Sequence, residues 1–125
     1  MSTILVADDE ADLRDLMAVV LESAGHDVIT ARDGVHAIAQ SAAHQIDLVV
    51  LDVMMPRATG VEVLGEIRAR SGSQPAVLML SALCSRADIR AGYIAGADDY
   101  IAKPFSMQEF VDRVHTLLDE RAVLA

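Results

Sequence analysis

What most constrains this chain is its alternation of short, unbroken apolar runs with longer stretches of helical spacing. Residues 48–51 and 76–80 hold no polar side chain. A strand with one solvated face alternates, whereas a strand covered on both faces reads as a continuous apolar run, the mark of a parallel sheet between layers of helices. Thr3–Ala7 and residues 28–31 and 100–102 give three further runs of the same kind.

The stretches between them carry helix periods. Leu13, Leu16, Met17, Val20 and Leu21 share one face, and Gly25 supplies a stop. After Asp33-Gly34 the inward set is Val35, Ile38 and Ala42; after the loop bracketed by Pro56 and Gly60 it is Val61, Leu64 and Ile67. The last helix has the clearest start. Ser106 and Glu109 form a Ser-x-x-Glu capping box, Phe105 and Phe110 occupy the two staple positions, and Phe110, Val114, Leu117 and Leu118 face the core. The segment 85–95 is the weakest helix. Ser85 and Asp88 can cap it, but an interior glycine such as Gly92 costs about 1 kcal/mol relative to alanine, which suits a mobile element or merely a mediocre helix.

Five strand–helix units predict one α/β domain over 1–125, a doubly wound five-stranded parallel sheet. The first, third and fourth runs are the most apolar and belong in the centre, with the second and fifth at the edges. That is the flavodoxin-like order 2-1-3-4-5, in which the site lies beyond the carboxyl ends of the strands.

The residues that follow each run therefore meet. Asp8-Asp9 follow the first, Asp52 the third, Ser81 the fourth and Lys103 the fifth. Taken alone, Asp8-Asp9 read better as helix caps; Asp52 and Lys103 at matching strand ends reverse that and make them part of a site. Like charges a few ångströms apart oppose one another by about 4 kcal/mol at an effective dielectric near 20, and a bound cation relieves this. Hard oxygen donors favour Mg2+. Carboxylates form aspartyl phosphates, and phosphoryl transfer needs mainly positioning and charge neutralisation. Asp52 is thus a candidate acceptor, with the Lys103 ammonium, the Ser81 hydroxyl and the N–H groups of Val53 and Ala82 as candidate phosphoryl contacts.

Composition narrows the function classes. Ten basic against nineteen acidic residues leave a net charge of −9, a poor match for nucleic-acid phosphates and a good one for a cation or a basic protein surface. Aromatics at 3% leave no stacking platform for a flavin or single-stranded nucleic acid. Cys84, the only cysteine, excludes an internal disulfide and reads as a packed residue. His26, His36, His44 and His115 share no spacing and read as surface or core residues rather than metal ligands. No apolar run approaches the roughly 20 residues of a membrane span, and Met1-Ser2-Thr3 lacks the basic stretch of a signal peptide, so a cytoplasmic location is expected.

In order, Asp8-Asp9-Glu10, Leu51-Asp52-Val53-Met54-Met55-Pro56, Ser81-Ala82, Gly96-Ala97-Asp98-Asp99-Tyr100 and Lys103-Pro104-Phe105 give the chain its resemblance to the receiver domains of two-component response regulators. Each motif is weak alone and specific in combination, and the likeness runs the length of the chain. It is most similar to the receivers of winged-helix DNA-binding regulators. The resemblance implies phosphorylation of Asp52 by a histidine kinase, in a signalling domain rather than a conventional enzyme. It implies Mg2+ held by Asp9, Asp52 and the Met54 backbone carbonyl, with Asp8 acting through water. Ser81 and Lys103 would contact the phosphoryl oxygens, and the Lys103–Pro104 bond would be cis. Ser81 and Tyr100 would form a switch that alters the face made by the fourth helix, fifth strand and fifth helix. Asp98, Asp99, Glu109 and Arg113 fit the subgroup's homodimer face, from which Ile89 and Ala95 depart, standing where a basic and an acidic residue are usual. Met54 and Leu83, both apolar, imply slow self-dephosphorylation. The output lies in a partner or in a domain beyond these residues.

Three other readings compete. A haloacid-dehalogenase-type phosphatase requires a second aspartate where Met54 stands. A flavin-binding protein of this fold requires a hydroxyl-rich phosphate loop where Asp8-Asp9-Glu10 stand. The surviving alternative is a pseudo-receiver that binds partners without phosphorylation, against which stand the acceptor-site residues, all present.

Overall fold

The computed structural model describes residues 2–83 and 85–124; Cys84, read above as a packed residue, lies outside them. Strands and helices alternate as β1 (Thr3–Ala7), α1 (Ala11–Ser23), β2 (Asp27–Ala31), α2 (Gly34–Ala43), β3 (Leu48–Asp52), α3 (Gly60–Arg68), β4 (Ala76–Ser81), α4 (Arg86–Ala95), β5 (Asp99–Ala102) and α5 (Met107–Leu124). The strands form one sheet in the order β2-β1-β3-β4-β5, every pair parallel, as the apolarity of the runs predicts.

Every residue of β3 and β4 is buried. Their side chains alternate between two cores. Leu5, Val49, Leu51, Val77 and Met79 face α2 and α3, packing with Ala37, Leu64 and Ile67. Ile4, Val6, Leu48, Val50, Leu78 and Leu80 face α1 and α5, packing with Met17, Leu21, Phe110, Val114 and Leu117. Each large aliphatic side chain buried this way contributes roughly 1.5–3 kcal/mol. The continuous apolar runs are thus two interleaved period-two patterns serving two layers of helix.

The helix faces are narrower than their apolar spacing suggests. Leu16, Val35 and Val61 are exposed, and so is Ala42. α2 buries Gly34 and Ala37, and α3 buries Val63 between Gly60 and Leu64. A helix laid on a flat sheet covers only a stripe, so one flank of each apolar set stays in solvent. Small residues decide how close the helix lies: a Cβ at Gly34 would run into the Ala58 carbonyl oxygen.

Terminal signals are met in most cases. Gly25 sits just past α1 at φ +95°. Ser85 caps α4 by accepting from Asp88 N–H, and Gly96 ends it in the left-handed region. At α5 Ser106 Oγ accepts from Glu109 N–H at 3.0 Å, and the rings of Phe105 and Phe110 lie 5.8 Å apart. The Glu109 carboxylate lies 3.7 Å from Arg113 instead of closing the predicted box. A complete box does occur at α3, between Thr59 and Glu62. Gly92 has a packing reason: a Cβ there would come within 2.9 Å of the Tyr100 ring.

Candidate functional site

Parallel strands deliver Asp8, Asp52, Ser81 and Lys103 to one edge of the sheet. Asp52 and Ser81 are the last residues of β3 and β4, Asp8 follows β1 and Lys103 follows β5. Asp8 and Ser81 are fully buried and Asp52 is 4% exposed, while Asp9 opens to solvent. Carboxylate oxygens of Asp8, Asp9 and Asp52 lie within 4.8 Å of one another. Lys103 Nζ reaches into the cluster, 3.0 Å from Asp8 Oδ2, 3.2 Å from Asp52 Oδ2 and 3.5 Å from Glu10 Oε1. Among the described residues no buried side-chain polar atom lacks a partner.

One ammonium does not balance these carboxylates. Burial, and then the charge of Asp8, push the Asp52 pKa up to about 6 against the opposing pull of Lys103 and the Met54 amide. Burial acts to lower the pKa of Lys103, but its bonds to Asp8 and Asp52 outweigh that and raise it, so the side chain stays charged. A site whose central carboxylate is this reluctant to ionise, lined by hard oxygen donors, fits a small divalent cation.

The backbone holds the Asp52 carboxylate. Met54 N–H donates to Asp52 Oδ1 at 3.2 Å. Val53 N–H, expected to face a phosphoryl group, instead continues the β3–β4 ladder by donating to the Leu80 carbonyl at 2.9 Å. In a strand alternate amides point to opposite sides, so the amide directed at the Asp52 carboxylate is one residue further along. Ala82 follows Ser81 at the exposed start of the next loop. Two residues were not singled out from sequence. Arg14, in the first turn of α1, donates to the Asp8 carbonyl at 2.9 Å. Gly60 lets α3 approach the acceptor strand, since a Cβ there would strike the Asp52 carbonyl oxygen.

Ser81 and Tyr100 converge on a single residue. Ser81 Oγ accepts from Leu83 N–H at 2.8 Å, and the Tyr100 hydroxyl donates to the Leu83 carbonyl at 2.6 Å. Tyr100 is only 8% exposed, its ring turned inward over Gly92. The Lys103–Pro104 bond is cis.

The four charges of the expected dimer face do not form one group. Asp99 accepts two bonds from Arg113, at 2.9 and 2.8 Å, and Glu109 flanks that arginine. Asp98 turns the other way, accepting from Arg68 at 2.9 Å and from Val77 N–H at 2.8 Å.

The family model described as response regulator receiver domain matches residues 4–115. The chain belongs to that family. Among similar proteins, this receiver domain is 42% identical over 121 residues to the probable transcriptional regulatory protein TcrX of Mycobacterium tuberculosis, covering 97% of this chain and 51% of that protein. It is 42% identical over 122 residues to the alkaline phosphatase synthesis transcriptional regulatory protein PhoP of Bacillus subtilis, covering 98% and 50%. The chain thus spans about half the length of the curated relatives it matches. Among solved structures, the receiver domain of the Francisella response regulator 1452 aligns with TM-score 0.90 at 33% identity, covering 96% of this chain and 98% of that one. The response regulator TrrA of Thermotoga maritima, solved in complex with Mg(2+)-BeF, aligns with TM-score 0.82 at 36% identity, covering 94% and 99%. No helix among the described residues is long and apolar enough to cross a membrane.

Proposed function

We propose that this receiver domain, a single unit over 1–125, takes a phosphoryl group onto Asp52 from a phosphorylated histidine of a partner kinase. The observation that carries the reading is the placement of Asp52: nearly buried, reluctant to ionise, and bonded to the Lys103 ammonium between a second carboxylate and a directed amide. The donor set fits Mg2+, which Asp9, Asp52 and the Met54 carbonyl would hold, with Asp8 acting through water. When bound, the ion would neutralise charge on both the acceptor and the phosphoryl oxygens.

The chain's own groups do the rest. An Asp52 carboxylate oxygen bonds to phosphorus as the bond from phosphorus to the kinase imidazole nitrogen breaks, and the imidazole leaves with the electron pair. Lys103 and the Met54 amide offer positive charge to the phosphoryl oxygens, with the Ala82 amide beside them. Ser81 donates its hydroxyl hydrogen to the same group while its lone pair keeps the Leu83 N–H, because a hydroxyl is both donor and acceptor. Tyr100 holds the carbonyl of that same residue. Leu83 therefore links acceptor chemistry to the inward position of Tyr100, and through it to the α4–β5–α5 face, where a two-state element can be biased.

That face would serve a partner, a second copy of the chain through Asp99, Glu109 and Arg113, or a DNA-binding output domain like that of the regulators this chain matches over half their length. The acidic surface and the family suit a cytoplasmic signalling module that does not itself hold nucleic acid. Met54, 58% exposed, and Leu83, 41% exposed, flank the site with no group able to orient water, which favours a long-lived phosphoryl group and little self-dephosphorylation.

Intact-protein mass spectrometry after incubation with acetyl phosphate tests the reading. A single phosphoryl adduct is expected with Mg2+, absent without it and absent from Asp52→Asn. No adduct from acetyl phosphate or from a cognate kinase would overturn it in favour of a pseudo-receiver.

A further inference from the structure

His26 and His115, 89 positions apart in sequence, meet at the pole opposite Asp52. His26 immediately precedes β2, and His115 lies on α5. Their Nε2 atoms face each other at 3.1 Å, with ring centroids 5.2 Å apart and planes inclined at 56°. We infer that this pair is a binding site for a divalent transition-metal ion of the zinc, copper or nickel class, bridging the α1–β2 turn to α5.

Geometry is the first argument. Two imidazole nitrogens held by one ion at about 2.0–2.1 Å are separated by roughly 2.9–3.4 Å for right-angled to tetrahedral coordination. The observed separation falls inside that span, so an ion can be taken up by turning the two rings without moving the elements that carry them. Both rings are half-buried, positioned yet reachable. Donor chemistry is the second. Imidazole suits zinc, copper and nickel, whereas the oxygen cluster around Asp52 suits Mg2+, so the two poles would select different ions. Water would complete the shell. Charge is the third: a chain of net charge −9 draws cations to its surface.

The protonation state is compatible. Burial, then the neighbouring His115, holds the His26 pKa below its ordinary value, so the ring is neutral near pH 7. Ser2 N–H donates to His26 Nδ1 at 3.3 Å, which leaves the ring proton on Nε2, shared with His115. Metal entry moves that proton to Nδ1 and breaks the long Ser2 contact. The bound ion would tie α5, one element of the α4–β5–α5 face, to the far end of the sheet.

The experiment is a Zn2+ titration of the full chain in excess Mg2+, which occupies the oxygen cluster, followed by imidazole 15N NMR and calorimetry. One Zn2+ per chain is expected. His26, His115 and the Ser2 amide should shift before His36 and His44, and affinity should fall more than about tenfold in both His26→Gln and His115→Gln. Zinc-independent melting curves report whether each variant is folded. Shifts of His36 and His44 at the same or lower Zn2+ concentration, or unchanged affinity in both folded variants, would overturn the proposal and leave a plain histidine–histidine hydrogen bond. If a variant does not fold, the order of histidine shifts in the wild-type titration decides.

Discussion

Between Asp8 and Lys103 the Asp52 carboxylate is pulled both ways, and the balance, a pKa of about 6 against 3.8 for a free aspartate, sets how stability follows pH. Below the unfolded value both states are protonated and nothing is lost. As pH rises through 4 to 6 the unfolded chain ionises while the folded one resists, so stability falls; above about 6 the full cost is present. In Mg2+-free buffer Asp52→Asn is therefore expected to stabilise the protein by about 1–3 kcal/mol at neutral pH, with the gain shrinking as pH falls toward 4. Urea unfolding of both proteins at several pH values checks this, and an advantage of the Asn variant over wild type no larger at neutral pH than at pH 4 would contradict it. A second prediction at this scale concerns Met54. An amide there could orient an attacking water, so Met54→Asn should shorten the phosphoryl lifetime several-fold, read from the decay of the adduct. The residues of the site were legible because each is the polar residue ending an apolar run. Which amide faces the acceptor was not, since the side on which a strand's N–H points follows from pairing register.

At the scale of elements, α4 owes its position to neighbours more than to its own sequence. Its interior glycine accepts the Tyr100 ring, and its left-handed cap residue, Gly96, hands its carbonyl to Arg68. Arg68 also bonds Gln74, the Pro75 carbonyl and Asp98, so one guanidinium joins the end of α3, the start of β4 and the α4–β5 turn. Arg68→Ala should cost about 2–4 kcal/mol in urea unfolding, because it leaves several half-buried acceptors without a donor. Gly92→Ala opposes a propensity gain of about 1 kcal/mol with an overpacking cost of about 1–3 kcal/mol. The expected result is a small net loss together with changed Tyr100 ring resonances; unchanged resonances would mean that the ring has room to spare. The sequence marked Gly92 only as a weakness, since nothing local announces a ring from β5.

The whole molecule places its chemistry at two poles of one sheet. Acidic residues converge at the carboxyl edge, and a histidine pair and the Asp47–Arg121 ion pair, at 2.9 Å, pin α5 at the other. Because the acidic pole is under-neutralised, Mg2+ should raise the unfolding temperature of the wild-type protein. At 100 times its dissociation constant a ligand specific for the folded state adds about 2.7 kcal/mol. The increase should vanish in Asp9→Asn and shrink at high ionic strength, as differential scanning calorimetry would record; an equal increase in that variant would place the ion elsewhere.

The sequence by itself determined the parallel order of five strands, the burial of β3 and β4 on both faces, and the meeting of Asp8, Asp52, Ser81 and Lys103. In a parallel sheet every strand ends on the same side, so order along the chain becomes position in space. Only the tertiary structure decided that Val53 closes the ladder, that Asp98 answers Arg68 rather than α5, and that His26 finds His115. Those pairings depend on how far apart elements pack and how their side chains turn, and neither distance nor direction is written in local spacing.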